Sequence, residues 1–455
     1  MSSSPSNPSQ DQASARRAVV RAGLARRHRT ERAFRFAGLL AVIMALGVVA
    51  SLFATILGKG LPAFQQPYIT VAVTFDPEII DVGPEPVRQA GQSDADFRAA
   101  SLAWQRQLAM LNWNAIIEHS MRELVPDGLE IDTRALLSVV ETSERHRVRE
   151  LLVADPTLLG RTVTLDLLAS ANVDNWLKGS IDRSLPDARQ QLTAPARQLS
   201  DQLYADGVIH MGFSWSILTN VDSRAAPASA GLAGAFMGSL YMMLVVIVLA
   251  VPIGVGSAIY LEEFAPRSRL TDLIEVNINN LAAVPSIVFG LLGAALFINY
   301  FRLPLSAPLV GGLVLTLMTL PTIIIATRAA LKGVPQSLRQ AALGLGASRT
   351  QMVFHHVLPM TLPSILTATI IGVAQALGET APLLLIGMNA FVAQIPSSPI
   401  DQATALPAQI FLWQGNENRN FFEARTSAAI MVLLALMIAL NAVAVFLRTR
   451  LERNK

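Results

Sequence analysis

The stretch QAALGLGASRTQMVFHHVLP, residues 340–359, decides how this chain is organised. In it Ala341 and Ala342 are followed by Gly346 and, after a further helix-length interval, by Leu358-Pro359. The spacing predicts a short helix, a tight bend at the glycine and a second helix, because alanines permit close approach and glycine adopts bend conformations. Since strongly apolar segments flank the stretch, we expect it on the water side of a membrane, where it can dock into a groove on another protein.

The composition of the whole chain is that of a membrane protein. Of its 455 residues, 52% are hydrophobic, and the mean hydropathy of +0.43 is too high for an ordinary soluble protein. A helix needs about 20 apolar residues to cross a bilayer. The runs that meet this length are Phe36–Leu57, Gly234–Tyr260, Leu281–Tyr300, Pro308–Thr327, Leu362–Met388 and Ser427–Leu447. We therefore predict an all-α polytopic membrane protein with six transmembrane helices.

Basic residues predict the orientation of these spans, because cytoplasmic segments of membrane proteins carry an excess of Lys and Arg. The tails at 1–35 and 448–455 are both basic, and the loop at 328–361 contains no acidic residue. All three are predicted to be cytoplasmic, with 36–58 as the first transmembrane helix. The loop at 262–280 has four acids and two arginines, yet the alternation of spans places it on the same side.

The start of the chain resembles a targeting segment only superficially. Residues 1–15 are rich in Ser, Pro and Gln and are expected to be disordered. The apolar run that follows the basic tail is longer than the roughly 7–15-residue core of a secretory signal, so we interpret it as a retained anchor.

Residues 59–230, called the insert below, differ in composition from the rest. They contain 22 Asp/Glu against 15 Lys/Arg and no apolar run long enough to span a membrane. Apolar residues alternate from Ile69 to Phe75, which predicts a half-buried strand. Helix-like apolar spacing occurs in Asp94–Leu124 and Arg134–Val153. We predict a small α+β extracytoplasmic domain that is large enough to bury a core of its own.

The motifs of common enzyme classes are missing from the sequence. There is no G-x-x-x-x-G-K-[ST] phosphate loop, so the chain is not expected to hydrolyse ATP itself. It has no cysteine, and its 6 histidines are scattered without the spacing of metal ligands. A Gly-x-Ser-x-Gly nucleophile elbow is also absent. We therefore predict no catalytic residue, no metal site and no cofactor in this chain.

One carboxylate lies inside an apolar run. Glu379 is the only acidic residue between Glu275 and Asp401. A carboxylate in a bilayer costs several kcal/mol unless it is paired, hydrated or protonated, so a functional role is the first hypothesis. If the run is one helix, Gln375 shares a face with Glu379, and Thr380 follows it in a candidate polar pathway. The alternative is a packing role, in which Glu379 bonds to neighbouring helices, and the sequence does not decide between the two.

Four runs together carry a resemblance to a known family. Residues 340–359 resemble the "EAA" coupling loop of ABC-importer permeases, through which a separate ATPase drives the membrane subunit. They depart from it at Gln340, where Glu is usual, and at His356, where Ile or Val is usual. Leu281–Gly290, Leu320–Ile324 and Ala376–Pro382, which reads ALGETAP, resemble runs of phosphate-importer permeases. From about residue 234 onward, and in the first span, the chain resembles the PstA-type permease family of bacterial phosphate ABC transporters.

The resemblance implies an architecture and a set of partners. It implies the fold of a type I ABC-importer permease, with 231–447 as a five-helix permease core and the insert as an addition to it. The implied partners are a homologous PstC-like permease, two copies of a PstB-like ATPase that bind ATP and Mg, and a periplasmic phosphate-binding protein. The implied location is the bacterial inner membrane, in contact with lipid and with no role for nucleic acid.

The resemblance also implies roles for individual residues. Those implied to contact the ATPase are Gln340, Ala341, Ala342, Gly346, Leu358 and Pro359. Those implied to line the pathway are Gln375, Glu379 and Thr380. The family often has Arg where this chain has Gln375, so anion attraction is expected from Arg302, Arg328 or the partner permease. A carboxylate repels an anion, so Glu379 is expected to accept a proton from the cargo's hydroxyl or to pair with an arginine of a partner.

Two rival functions remain open at this level. The first keeps the permease class and changes the cargo to sulfate, molybdate, an amino acid or a polyamine. The second is a membrane-anchored sensor whose external domain binds a ligand. A sensor needs a cytoplasmic output domain, and the segment after Leu447 is too short to be one.

Overall fold

The computed structural model of the protein describes residues 8–83 and 85–453. The chain divides into two compact units after Gly58. The described part of the first unit is helical and belongs to α1 (Pro8–Gly60), whose last two residues fall in the second unit. Helix α1 carries an apolar stretch long enough to cross a membrane. The expected disorder of residues 1–15 is wrong over 8–15, because α1 already begins at Pro8 and continues without a break into the Ala- and Arg-rich segment that follows. Residues 1–7 lie outside the described residues.

The insert is built on a three-stranded antiparallel sheet with the order β2-β1-β3. The strands are β1 (Gln65–Thr74), β2 (Thr162–Leu168) and β3 (Ile209–Phe213). In the register, Val71 pairs with Leu165 and Tyr68 pairs with His210. Apolar residues on one face of β1 are fully buried against helices, which confirms the strand predicted from alternation.

Short helices cover one face of this sheet and lead the chain back to the membrane. They are α2 (Asp94–Met110), α3 (Trp113–Arg122), α4 (Thr133–Leu137), α5 (Glu144–Ala154), α6 (Ala171–Leu177), α7 (Ala194–Ala205) and α8 (Ser216–Thr219). The insert is therefore an α+β element with its own apolar core. Both segments that showed helical spacing contain helices, each broken once by a turn.

The rest of the chain is helical. Its helices are α9 (Ala233–Ile259), α10 (Arg269–Ala282), α11 (Ser286–Gly293), α12 (Pro308–Lys332), α13 (Gln336–Gly344), α14 (Arg349–Met352), α15 (Leu358–Gly378), α16 (Ala381–Leu385), α17 (Leu406–Gln414) and α18 (Arg419–Arg453). Within the described residues, five helices are long and apolar enough to span a membrane, and a bent pair makes a sixth if it counts as one span. This agrees with the predicted six-span fold class.

The bent pair corrects two predicted boundaries. The loop expected at 262–280 contains α10, and the span expected at Leu281–Tyr300 begins at a bend of 103° between α10 and the helix that starts at Ser286. The bend falls immediately before Pro285, because a proline disfavours the helical conformation of the residue that precedes it.

A buried arginine joins the insert to the helical core. Arg425 on α18 is buried and donates hydrogen bonds to the carbonyls of Ala228 and Ala230, in the segment that leads from the insert into α9. The amide of Ala228 donates to Glu141 at 2.8 Å, and the side chain of Gln66 donates to the Ala228 carbonyl at 2.7 Å. The insert is therefore packed onto the core at this segment, which we call the latch (226–230).

A second set of polar contacts ties the loop at 328–361 to the end of α9. Arg339 lies 2.7 Å from Glu263, and their side chains are only 12% and 6% exposed. Arg339 also donates to the carbonyls of Leu331 and Val334, at 2.8 and 2.6 Å. These carbonyls lie at and just beyond the end of α12, where the helix itself supplies no donors. One guanidinium therefore holds three chain segments together.

Ion pairs that are longer or have a more exposed partner lie next to the Arg339–Glu263 pair. Arg328 lies 2.6 Å from Glu275 and 3.3 Å from Glu262, and Lys332 lies 3.8 Å from Glu262. Three of the four acids in the 262–280 segment thus pair with basic residues of the 328–361 loop. The two segments lie at the same end of the helices, as the alternation of spans requires.

Replacing Arg339 by Met is expected to lower the free energy of unfolding by about 3 kcal/mol, because it leaves the nearly buried Glu263 without a partner. Lys332→Met is the matched control. It removes a longer, exposed ion pair and is expected to cost less than about 1 kcal/mol. Thermal or urea unfolding of the purified protein in detergent measures both values. Equal losses for the two variants would show that Arg339 is not the restraint described here.

The pKa of Glu141 gives the latch a pH dependence. Burial raises the pKa of this carboxyl, although the hydrogen bonds from Ala228 and Thr142 act in the opposite direction. Because the pKa is higher in the folded than in the unfolded state, the contribution of Glu141 to stability falls as the pH rises through and above the ordinary Glu range. Unfolding measured at a series of pH values should therefore show Glu141→Gln gaining stability relative to the parent as the pH rises. Glu123→Gln, at an exposed site, controls for the loss of a carboxylate, and parallel trends in both variants would refute the assignment.

Candidate coupling loop and transport pathway

The bend predicted at Gly346 is present. Helix α13 ends with a hydrogen bond from the Gly346 amide to the Leu343 carbonyl and another from the Ala347 amide to the Ala342 carbonyl. This pair of bonds is the Schellman arrangement, which places a glycine in a left-handed conformation after the helix. Gly346 has a φ of +87°, which explains why glycine stands at this position.

Local hydrogen bonds also fix the chain after the bend. The Ser348 side chain accepts from the Gln351 amide, and the Gln351 side chain accepts from the Ser348 amide, so a capping box starts α14. A π-helical turn at Val353–Val357 carries the chain from α14 into α15. Helix, bend and helix are thus all present. Backbone hydrogen bonds fix the chain before the bend, and side-chain hydrogen bonds of Ser348 and Gln351 fix it after the bend.

The predicted docking residues divide into two groups by exposure. Gln340, Ala341 and Gly346 are exposed, and Leu358 and Pro359 are half-buried at the start of α15. Ala342 is buried instead. It belongs to a small apolar core under the loop, with Ile259, Leu331, Val334, Met352, Val353 and Val357. Ala342 therefore shapes the loop from within, and the docking role of the other five stays a prediction.

The sequence analysis missed two exposed leucines of the loop. Leu345 is 91% exposed, and Leu343, two residues before it, is 42% exposed. Large apolar side chains in contact with water mark binding surfaces when they are clustered on one face. The sequence did contain a signal for this surface. Leu345 is a large apolar residue between Gly344 and Gly346, in a turn, where an apolar side chain does not belong to a buried helix face.

The structure places Glu379 just outside the end of a helix, whereas a position within a helix was predicted. The span predicted at Leu362–Met388 is instead a continuous helical stretch from Arg349 that ends at Gly378. Glu379 has extended backbone angles, φ −75° and ψ 126°, so it does not share a helix face with Gln375. Two causes combine: Gly378 is a weak helix former, and Pro382 has no amide to bond the Gly378 carbonyl.

The three candidate pathway residues lie at this break, and within residues 8–83 and 85–453 their side chains have no hydrogen-bond or ion-pair partner. Gln375 is exposed, and Glu379 and Thr380 are half-buried. Among the described residues, none donates a hydrogen bond to the Glu379 carboxylate or forms an ion pair with it. A packing role for Glu379 within this subunit therefore has no contact to support it.

Two of the sequence motifs meet at the break. A Cβ atom added to Gly290 would lie 2.7 Å from the Cα atom of Pro382, so glycine is needed where α11 crosses the start of α16. The run Leu281–Gly290 thus contacts the run Ala376–Pro382, although about ninety residues separate them. The polar stretch at Glu379 lies beside this crossing.

The two candidate anion-attracting arginines lie far apart. Arg302 is exposed in the loop before α12 and has a φ of +58°, whereas Arg328 lies in the last turns of that helix. Over the 25 residues of α12 the two ends are roughly 37 Å apart. The charge of Arg328 is matched by Glu262 and Glu275. The anion-attracting role of both arginines stays a prediction.

No described group of three His, Cys, Asp or Glu side chains is arranged so that it could hold a metal ion.

Comparison with known families divides the chain into two parts. Residues 250–455 match the family described as "Binding-protein-dependent transport system inner membrane component". Residues 21–187 match a domain of unknown function, DUF3333. The second match covers α1 after its start and most of the insert, so the insert is a recurrent module whose role is not described.

Individual relatives indicate which transport permeases this chain is most usefully compared with. The probable ABC transporter permease protein YqgI of Bacillus subtilis is 32% identical over 41% of this chain, which spans 62% of that relative's length. The phosphate transport system permease protein PstA of Xylella fastidiosa is 32% identical over 49% of this chain and 77% of its own length. A structure of the MetNI methionine ABC transporter in inward-facing conformations covers 49% of this chain and 94% of its own, at 19% identity and a TM-score of 0.35.

The family match at residues 250–455 contains the bent loop and the break at Glu379. The relative from Xylella meets this chain over more than three quarters of its length, at an identity that indicates common descent. The chain therefore belongs to the PstA-type family of binding-protein-dependent transport permeases.

Proposed function

We propose that this chain is a transmembrane subunit of an ATP-driven importer of inorganic phosphate. The observation that carries the proposal is the rigid helix–bend–helix at 336–378, held on the ends of α9 and α12 by the buried Arg339–Glu263 pair. Its relatives supply the cargo, since several of them bear the name of phosphate transport permeases. The chain covers less than two thirds of the length of the first relatives, so the cargo belongs to the proposal.

In such an importer, each part of the chain lies on a defined side of the membrane and has defined partners. The two termini and the bent loop face the cytoplasm of a bacterial cell, and the insert faces the outside of the inner membrane. A homologous PstC-like permease completes the pathway, two PstB-like ATPases bind ATP and Mg, and a periplasmic binding protein delivers phosphate. This chain contributes no ATPase site of its own and acts as the mechanical part of the machine.

Rigidity is what the bent loop contributes to coupling. A loop converts a push from an ATPase into helix movement only if it does not deform, and here hydrogen bonds close both sides of the Gly346 bend. The push is passed to α9 through Glu263 and to α12 through the carbonyls that Arg339 binds. Alternating access then requires that ATP binds the two conformations of the assembly with different affinity.

The break at Glu379 is the part of the chain best suited to the pathway. Its carboxylate and the side chains of Gln375 and Thr380 are accessible at the end of α15. A phosphate ion that still carries a proton can donate that proton in a hydrogen bond to a carboxylate, which offsets part of the repulsion between the two negative charges. An arginine of the partner permease is the alternative ligand of Glu379.

The proposal is tested by uptake of radiolabelled phosphate. The complex is purified with its partners, reconstituted in vesicles with ATP inside, and supplied with the binding protein outside. Uptake that depends on ATP and is not reduced by excess sulfate, molybdate, amino acid or polyamine is the expected result. Competition by one of these solutes would reassign the cargo, and the absence of any ATPase from the purified complex would refute the permease assignment.

Gly346→Ala is expected to weaken the coupling of transport to ATP hydrolysis. A side chain in the left-handed conformation costs about 1–2 kcal/mol, so the bend should relax to another geometry. Gly344→Ala is the matched control, because an added Cβ meets no atom within 4 Å at either position and only Gly346 has a positive φ. Phosphate transported per ATP hydrolysed should fall for Gly346→Ala and hold for Gly344→Ala. The same ratio in both variants would remove the bend from the mechanism.

Glu379→Gln is expected to reduce phosphate uptake about tenfold or more, because one charge-assisted hydrogen bond, worth about 1.5–3 kcal/mol, is lost. Unfolding of this chain should be unchanged, since no described residue bonds to this carboxylate, and weaker assembly with the partner permease would indicate that Glu379 pairs with the partner's arginine. Glu417→Gln, at an exposed site before α18, is the control for removing a negative charge. Normal uptake in Glu379→Gln would exclude Glu379 from the pathway.

A further inference from the structure

The insert carries a connected group of aromatic side chains that runs from Phe64, which packs against the hydrophobic core, to two rings on the surface. The rings of Phe64 and Phe213 are stacked with centroids 6.1 Å apart, and Phe213 meets Trp215 edge-on at 4.8 Å. Trp215 is 65% exposed and Phe213 is 51% exposed. The other four tryptophans of the chain are buried. We call Phe64, Phe213 and Trp215 the aromatic patch.

The patch lies at the level where the chain enters and leaves the apolar helices. On one side, Phe64 follows Gly60, where an added Cβ would lie 2.6 Å from the Met431 sulfur and 3.0 Å from the backbone of Ser427, at the start of the apolar part of α18. Phe64 therefore lies one turn of chain beyond a close contact with the start of the apolar part of α18.

On the other side, Trp215 immediately precedes α8, and α8 packs against the residues that lead into α9. A Cβ added to Gly231 would lie 2.4 Å from the carbonyl oxygens of both Ser216 and Asn220. Helix α9 is apolar from its first turn, so its beginning marks the membrane boundary. Both flanks of the patch thus lie at the same boundary.

The structure also fixes the patch in place. The Ser214 amide donates to the Phe64 carbonyl at 2.7 Å, which joins the two chain segments that carry the rings. Lys178 donates to the carbonyls of Pro62 and Gln65, at 2.9 and 2.5 Å. Lys178 also pairs with Asp174 at 2.6 Å, so its ammonium ties α6 to the segment that carries Phe64.

We propose that the aromatic patch is a membrane-surface anchor, with Trp215 and Phe213 inserted among the lipid head groups of the leaflet on the insert's side. Aromatic rings favour this zone because it accepts their apolar bodies and the polar indole N–H together. The insert then rests on the membrane and leaves its far side to other partners. The inference rests on the chain being embedded in a membrane and not on its cargo, so a failed phosphate uptake test would leave it intact.

The test uses tryptophan fluorescence of the full chain in bilayers that contain brominated phospholipids. Bromine quenches indoles that it contacts, and it can be placed near the head group or near the end of the acyl chain. Head-group-proximal bromine is expected to quench a component of the emission that is missing from Trp215→Phe and kept in Trp104→Phe. Bromine at the chain ends should quench this component less, and aqueous iodide should reach it poorly.

Three results would overturn the proposal. If iodide quenches the Trp215 component and bromolipid does not, the patch faces water. If neither quencher reaches it, a protein surface covers the patch. If bromine at the chain ends is the better quencher, the indole lies in the bilayer interior. Phe213→Ser is a second variant, which keeps Trp215 and removes its ring neighbour, and it is expected to reduce the quenching by head-group-proximal bromine.

Discussion

The whole arrangement of the loop depends on one nearly buried ion pair. Arg339 reaches Glu263 at the end of α9 and, with its remaining donors, satisfies two carbonyls at the end of α12. A buried pair of this kind adds little net stability compared with apolar packing, but the loss of one partner is costly because the other charge remains buried. The pair therefore acts chiefly as a restraint on position. It permits one arrangement of α9, α12 and α13 and penalises others.

The insert is restrained by the same kind of contact at the opposite end of the helices. Arg425 donates to two carbonyls of the latch, and Glu141 accepts a hydrogen bond from the Ala228 amide of the same segment. A domain on a flexible linker could move independently of the core. Here the connecting segment is itself bound to α18 and to β1, so a displacement of α18 is passed to the sheet. The insert is thus placed to follow the movements of the permease core.

Signals between neighbouring residues were sufficient to predict the structure of the loop, whereas contacts between distant residues could not be predicted from the sequence. Gly346 acts within a few residues of the helix that it ends, so its spacing from Ala341–Ala342 and from Leu358–Pro359 was sufficient to predict the bend and the second helix. Arg339 and Glu263 are 76 residues apart, and no pattern in a single sequence pairs them. The break at Glu379 was missed for a different reason. The apolar run continues past Pro382 to Met388, and its length outweighed the helix-stopping pair of Gly378 and Pro382.

The two broken helices explain why the break at Glu379 is the best candidate for the pathway. In a bilayer, backbone that leaves the helical conformation is tolerated only where protein or water covers it. Here the chain breaks at Ala283–Pro285 and again at Glu379–Thr380, and the helices that follow these breaks cross at Gly290 and Pro382. Gln375 is nevertheless exposed and Glu379 is half-exposed, so the described part of this chain does not cover the second break completely. The remaining cover has to come from water or from a second permease, and either one places polar groups where a solute crosses the membrane.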